Sequence, residues 1–435
     1  MEKVLALVLG IALVIFLILK TKVQAFPALL IAAIVTGLIA QMAPGDVAKA
    51  VSDGFGSTLS SIGIIIGLGV MMGKILEVTG AAKKMAVVIL KIVGEERAEL
   101  VLALSGYLIS IPVFCDSGFV ILSELSKEFS RETKKSLVAL GCSLGIGLYI
   151  THYLVPPTPG PLGVAGLLGV DVGSLILWGA LLGLILVFVG VASAKFLASK
   201  CPTIIPESTA EAKSFLSDAE SLPSGVMSFA PVLVPVVLIL MKTVGDAMGA
   251  TNDVVMLIGN PIVAVLFGVL ISIYGLARKE DRETVVKTLE SSLADAGLIL
   301  CITGAGGALG SVLRVSGIGD YIANGIAQSG FPAILLPMLM AALLKIAQGS
   351  GTVSVITTAS ILAPMIDGLG ISPLLTTLAI CTGGMIASFI NDSYFWVVTR
   401  FSDMDVRTGI RAWTATSAIT GFAGCVLVLV LGIFL

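Results

Sequence analysis

Apolar runs long enough to cross a bilayer recur along this chain from one end to the other. Val4–Leu19, Val23–Met42, Leu59–Val78, Ser136–Val155 and Leu175–Leu197 form a first series. Phe229–Val244, Val254–Ile273, Leu293–Val312, Pro373–Ile390 and Trp413–Leu435 form a second. A helical span needs roughly 20 mostly apolar residues, and its backbone amides must find partners without water. The runs are continuous and rich in Leu, Ile, Ala and Gly, which suits helices; a β-barrel would show short alternating segments. Only 12% of the residues are charged and the mean hydropathy is +1.07, whereas a soluble domain carries about 25% charge. The chain therefore reads as an all-α polytopic membrane protein lodged in a lipid bilayer. No small-residue cleavage site follows Val4–Leu19, so that run is read as a retained helix.

Two further apolar segments, Leu100–Leu122 and Ile334–Met365, fit poorly as single crossings. Cytoplasmic loops collect Lys and Arg, and basic residues flank the first segment on both sides. Lys83, Lys84, Lys91 and Arg97 precede it; Lys127, Arg131, Lys134 and Lys135 follow. The segment is expected to enter and return on one side, each arm of about ten residues reaching about 15 Å, half the hydrocarbon thickness. With Ile334–Met365 re-entrant from the opposite side, 20 of the 26 basic residues fall in the cytoplasm and both termini lie outside.

A short internal repeat agrees with this layout. GVMMGKILEVTG at 69–80 matches GGALGSVLRVSG at 306–317, an offset of 237. The same offset places Thr151 on Ser388, and an offset of 233 places Ser117 and Gly118 on Ser350 and Gly351. Each half then holds five crossings and one re-entrant hairpin. An odd number of crossings turns the second half upside down, which is an inverted repeat. The expected division is residues 1–198 for the first repeat (hairpin about 100–122), 199–228 for a polar cytoplasmic linker, and 229–435 for the second repeat (hairpin about 334–365). Transporters of this plan hold substrate near the bilayer midplane between broken helices.

Four stretches interrupt the apolar pattern: IPVFCDSG (111–118), THYLVPPTPGP (151–161), QGSGTVS (348–354) and SFINDSYFW (388–396). Irregular backbone at membrane depth survives only beside protein or a watery cavity. Half-helices that begin there would present free N–H groups and a positive dipole end to a carboxylate. Hydroxyl and amide side chains beside them suit a hydroxylated substrate. The expected substrate-binding set is Ser117, Gly118, Thr151, His152, Thr158, Gln348, Gly349, Ser350, Gly351, Thr352, Ser388, Asn391 and Asp392. Asp116, near the first hairpin tip, and His152, the only histidine, are the expected proton-coupling groups; an ionisable residue at membrane depth is a functional candidate by default. Asp392 serves equally well as a helix cap, and Lys345 could attract anions or extend toward the surface.

Other classes find little support. The six cysteines are scattered without a CxxC or a neighbouring histidine, so neither a metal site nor a disulfide framework is expected. One histidine and no ligand cluster argue against an intramembrane enzyme. No GxxxxGK[ST] is present, so no ATP-driven pump is expected. No cofactor and no nucleic-acid partner are expected.

At THYLVPPTPGP (151–161), KIAQGSGTVS (345–354), INDSYFW (390–396) and GAGGALGSVL (304–313) the chain resembles the gluconate:proton symporter (gluconate permease) family. The resemblance runs nearly end to end. It implies a proton-driven importer of sugar acids such as gluconate in the bacterial inner membrane. It also implies membership of a wider group of ion transporters that move by an elevator-type mechanism, commonly as homodimers. The chain departs from the gluconate pattern at Asp116, Lys345, Gln348 and Phe389, where Glu, Arg, Leu and His are usual. Sodium coupling, or a short hydroxy acid or amino acid as substrate, are the alternatives on the same scaffold.

Overall fold

The computed structural model describes residues 2–21, 23–206, 222–249, 252–318 and 332–433. Among them there is no strand. The first half contains α1 (Glu2–Leu19), α2 (Ala25–Ile39), α3 (Pro44–Val78), α4 (Ala81–Val93), α5 (Ala98–Ile109), α6 (Cys115–Thr133), α7 (Leu137–Leu154), α8 (Pro159–Leu168) and α9 (Val172–Ala198). The second contains α10 (Gly225–Ala247), α11 (Asp253–Ile258), α12 (Pro261–Ile271), α13 (Arg282–Val315), α14 (Leu335–Gln348), α15 (Gly351–Leu362), α16 (Pro373–Gly384), α17 (Ser393–Phe401) and α18 (Ala415–Leu431).

The expected count of ten full crossings is not what these helices give. Among the described residues, six helical runs are long and apolar enough to span: Leu137–Leu168, Val172–Ala198, Gly225–Asp246, Arg282–Val315, Gly351–Leu369 and Val406–Leu431. A seventh is α3, whose halves meet at a bend of 46° between Ser60 and Ile62. Of the other expected spans, Val4–Leu19 lies within α1, which has 18 residues, whereas α2 has 15 residues and α16 stops at Gly384. Val254–Ile273 is divided between α11 and α12, where Asn260 caps α12 through Ile262 N at 3.0 Å and Pro261 opens it. The second expected hairpin, about 334–365, is made of α14 and a return arm that continues as one helical run over Gly351–Leu369. Half of the expected linker 199–228, residues 207–221, lies outside the described residues, and α10 already begins at Gly225.

Helix α7 is the axis of the first half. Every one of its 18 residues is buried except His152. It packs between α5 and α9. Gly147 makes the close approach to α5 possible, since a Cβ there would lie 2.0 Å from Ala103 O. The helix ends because Pro156, Pro157 and Pro159 donate no N–H and force the residue before each into extended backbone. Val155 obeys, with φ −119 and ψ 113. In the second half α14 packs on α16 much as α5 packs on α7. Here the break, Met385–Asp392, contains no proline, and its freed polar groups are met by side chains. Ser388 N donates to Ser417 Oγ at 3.0 Å, and Thr414 Oγ1 donates to Ser388 O at 2.6 Å. These contacts let an irregular segment persist inside an apolar bundle.

The outer faces are apolar where no helix covers them. On α9, Leu177, Leu181, Leu184, Ile185 and Phe188 are exposed, while Leu175, Ile176, Leu182, Leu186 and Val187 pack inward. A stripe of this kind suits contact with lipid.

Candidate functional site

The end of α7, the second helix break, the start of α6 and the turn between α14 and α15 converge on one cavity of about 370 Å³, within the range of small-molecule sites. From α6 come Cys115 and Asp116, after Phe114. From α7 come Tyr149, His152 and Tyr153. From the turn between α14 and α15 and its flanks come Lys345, Ser350, Gly351, Thr352 and Val353. From the second break come Asp392, Ser393 and Tyr394, and α13 closes one side with Leu298, Ile299 and Ile302.

Three helices begin at this cavity: α6, α15 and α17. Their N-terminal ends concentrate positive dipole at one place. Ser350 caps α15 through Val353 N at 3.4 Å, and Asp392 caps α17 through Tyr394 N at 3.2 Å. The turn before α15 depends on Gly349, whose φ of +79 lies in the left-handed region and whose Cβ would meet Asn391 O at 2.0 Å.

The charged centre is an ion pair. Lys345 Nζ donates to Asp392 Oδ2 at 2.6 Å and to Gly349 O at 2.5 Å; the two side chains are 1% and 6% exposed. Asp392 Oδ2 also accepts from Ser388 Oγ at 2.6 Å, and Ser388 Oγ in turn accepts from Trp413 Nε1 at 2.9 Å. Among the described residues lining the cavity, Lys345 is the only Lys or Arg, and it faces two carboxylates, Asp392 and Asp116. A buried lysine needs its partners to offset the cost of leaving water. Behind Asp392 stands an aromatic stack. Tyr149 and Tyr394 lie parallel at 5.7 Å, and Trp413 meets both edge-on.

His152 is the one residue of α7 turned partly outward, and it is turned to this cavity. Its Nε2 lies 3.4 Å from Thr352 Oγ1, which joins α7 to α15. Its Nδ1 is buried and has no protein partner.

Of the residues expected from sequence, Asp116, His152, Ser350, Gly351, Thr352 and Asp392 line the cavity. The others are placed around it. Thr151 Oγ1 donates to Tyr107 O at 2.7 Å and Thr158 Oγ1 to Val155 O at 2.6 Å, so both hydroxyls serve backbone. Asn391 Nδ2 donates to Ile346 O at 2.9 Å and fastens the end of α14. Ser388 supports Asp392, as described. Ser117 sits in the first turn of α6 and Gly118 packs on Leu148, both off the cavity wall. Gly349 forms the turn, and the side chain of Gln348 lies outside what the structure describes. Sequence reasoning did not single out Tyr149, Tyr153, Tyr394 or the α13 residues. Tyr149 and Tyr153 are one helical turn apart and read as packing, and nothing local ties Leu298 to a site. Among the described residues, no group of three or more His, Cys, Asp or Glu side chains is placed to hold a metal ion.

Comparison with known proteins gives this arrangement a family. A family model described as GntP family permease matches residues 2–434. An uncharacterized permease of Haemophilus influenzae is 41% identical, with 98% of this chain and 91% of that protein covered. A gluconate permease of Pseudomonas aeruginosa is 36% identical over 99% of this chain and 97% of its own. The D-serine transporter DsdX of Escherichia coli is 32% identical over 95% and 94%. The solved structure of Neisseria gonorrhoeae MtrF superposes with a TM-score of 0.70 at 14% identity, covering 97% of both chains, a likeness of fold alone. The chain belongs to the GntP family of permeases, multi-pass transporters of the bacterial inner membrane rather than enzymes.

Proposed function

We propose that this permease imports a small hydroxylated carboxylate, gluconate or a related sugar acid, together with protons. The observation that carries the reading is Lys345, a buried cation on the wall of a cavity where three helix N-termini converge. A carboxylate is the group that such a site recognises. The named substrates of relatives, gluconate and D-serine, share a carboxylate beside a carbon bearing a hydroxyl or amino group. The hydroxyls of Ser350, Thr352, Tyr149 and Tyr153 suit the rest of such a molecule. Asp116 and His152 face the same cavity, so proton and anion have a common place to meet. The two halves move as an inverted repeat of elevator type, in a homodimer; the similar packing of α5 on α7 and of α14 on α16 supports the repeat.

The test is thermal stabilisation of the purified protein by a panel of sugar acids and hydroxy acids at pH 5.5 and 7.5, followed by uptake into proteoliposomes. A ligand of the folded state raises the melting temperature by mass action. A sugar acid that stabilises, and whose uptake follows a pH gradient, supports the reading. Uptake that requires Na⁺ and ignores the pH gradient would replace proton by sodium coupling.

A further inference from the structure

We propose that Asp392 carries the transported proton, and that the substrate's carboxylate drives its uptake by taking Asp392's place on Lys345. This rests on the proton-coupled reading above and names the groups that perform it.

The geometry makes Lys345 a shared resource. Its Nζ is tied to Gly349 O and to Asp392 Oδ2, with almost no solvent exposure, and it is the only Lys or Arg among the described cavity-lining residues. An incoming carboxylate has no other formal cation to pair with there. When it takes Nζ, Asp392 loses its counter-charge. The groups then facing Asp392 are Ser388 and Tyr394 from its own segment, Trp413 behind Ser388, and Asp116, Cys115, Tyr149, Tyr153 and His152 across the cavity. None of these is a fixed cation, and Asp116 and the substrate are like charges. A proton drawn from the cavity water then binds Oδ2 on the side Nζ has left, and donates to the substrate's carboxylate. The hydrogen bond from Ser388 to Oδ2 stays in place.

The charge balance makes the coupling strict. In the empty site, Lys345⁺ and Asp392⁻ cancel; Asp116 is the same in both states and stands outside this balance. In the loaded site, Lys345⁺, the anion and neutral Asp392 again sum to zero. Anion without proton leaves Asp392 buried and unpaired; proton without anion leaves Lys345 buried and unpaired. Both are costly in a low-dielectric interior. One proton therefore accompanies each monocarboxylate, and on the cytoplasmic side the proton leaves as Asp392 returns to Lys345. Asp116 faces Lys345 across the cavity, but the carboxylate bonded to Nζ is that of Asp392, and His152 meets Thr352; neither sequence candidate loses a bonded cation when the substrate takes Nζ.

The probe is whichever panel acid most stabilises the wild type. Infrared difference spectra on adding it to the wild type at pH 7.5 are expected to show a new protonated-carboxyl band, and a pH indicator to register about one proton taken up per molecule bound. Asp392→Asn should remove both, and in proteoliposomes should lose accumulation driven by a pH gradient. Should Asp392→Asn fail to fold, Asp392→Glu carries the test, because the band must shift in frequency. No proton uptake by the wild type, a band unaltered in Asp392→Glu, or gradient-driven accumulation by Asp392→Asn overturns the proposal. Wild-type uptake that ignores the pH gradient would sink the proton-coupled reading itself, a separate result.

Discussion

Lys345 joins three parts of the molecule at one atom: the end of α14, the Gly349 turn and the second helix break. Removing one partner of a buried pair costs about 3–5 kcal/mol, because the other charge is left unpaired. Lys345→Gln is therefore expected to lower stability by about 3 kcal/mol, and the double variant with Asp392→Asn to recover most of that loss. Chemical denaturation of the four proteins in the cycle measures it; simple additivity of the two losses would contradict a coupled pair. Thr151 behaves differently. Its hydroxyl serves Tyr107 O, so Thr151→Val should cost about 1 kcal/mol of stability and leave ligand affinity in place, as read by melting with and without substrate. At this scale the sequence was partly legible. His152 and Asp116 stand out because ionisable groups are rare in apolar runs, and the cavity receives both. Thr151, Thr158 and Asn391 carry the same chemistry by composition, yet their polar atoms are taken by backbone carbonyls that no local pattern reveals. The pairing of Lys345 with Asp392 spans 47 positions, beyond any helical spacing.

The elements owe their placement to how each break is satisfied. Prolines end α7 visibly in sequence, whereas the second break is held by Ser417 and Thr414 from a distant helix start. This is why Pro373–Ile390 reads as one span in the sequence and stops at Gly384 in the structure. The bend in α3 falls at the start of the expected span Leu59–Val78, among Ser57, Thr58, Ser60 and Ser61. The split at Asn260 carries its own signal in Gly259, Asn260 and Pro261, which the apolar residues on either side outweigh in a reading by composition. The turn at Gly349 is the most exacting element of the site. Gly349→Ala would force a Cβ into left-handed backbone and against Asn391 O, a strain of about 1–3 kcal/mol; a lowered melting temperature with loss of ligand stabilisation is the expected outcome. Outside the membrane, Asp281 and Asp405 cap helix starts through the amides of Thr284 and Thr408. The side chains of the same threonines, and then their amides, hold both carboxyls below their usual range through hydrogen bonds. A lowered folded-state value means the caps stabilise above the ordinary carboxylate range and are lost as pH falls through it. Hydrogen exchange at Thr284 and Thr408, corrected for intrinsic rate, should lose protection on acidification, and Asp281→Ala should remove that pH dependence at Thr284.

At the scale of the whole molecule, the chain places a charged, hydrogen-bonded centre inside a bundle whose outer surface suits lipid. Overall hydropathy gave the membrane class, and the interrupted segments gave the region of the site, because both follow from the cost of exposing polar backbone to hydrocarbon. The number of crossings did not follow, since helix length is set by caps and breaks that apolar composition does not encode. The central claim is that one site binds an anion and a proton together. The most direct measurement is initial uptake of the stabilising sugar acid into proteoliposomes under an imposed inward proton gradient, with and without a protonophore, in the absence of Na⁺. The account predicts accumulation that the protonophore abolishes. Accumulation that survives collapse of the gradient, or that appears only when Na⁺ is supplied, would contradict it.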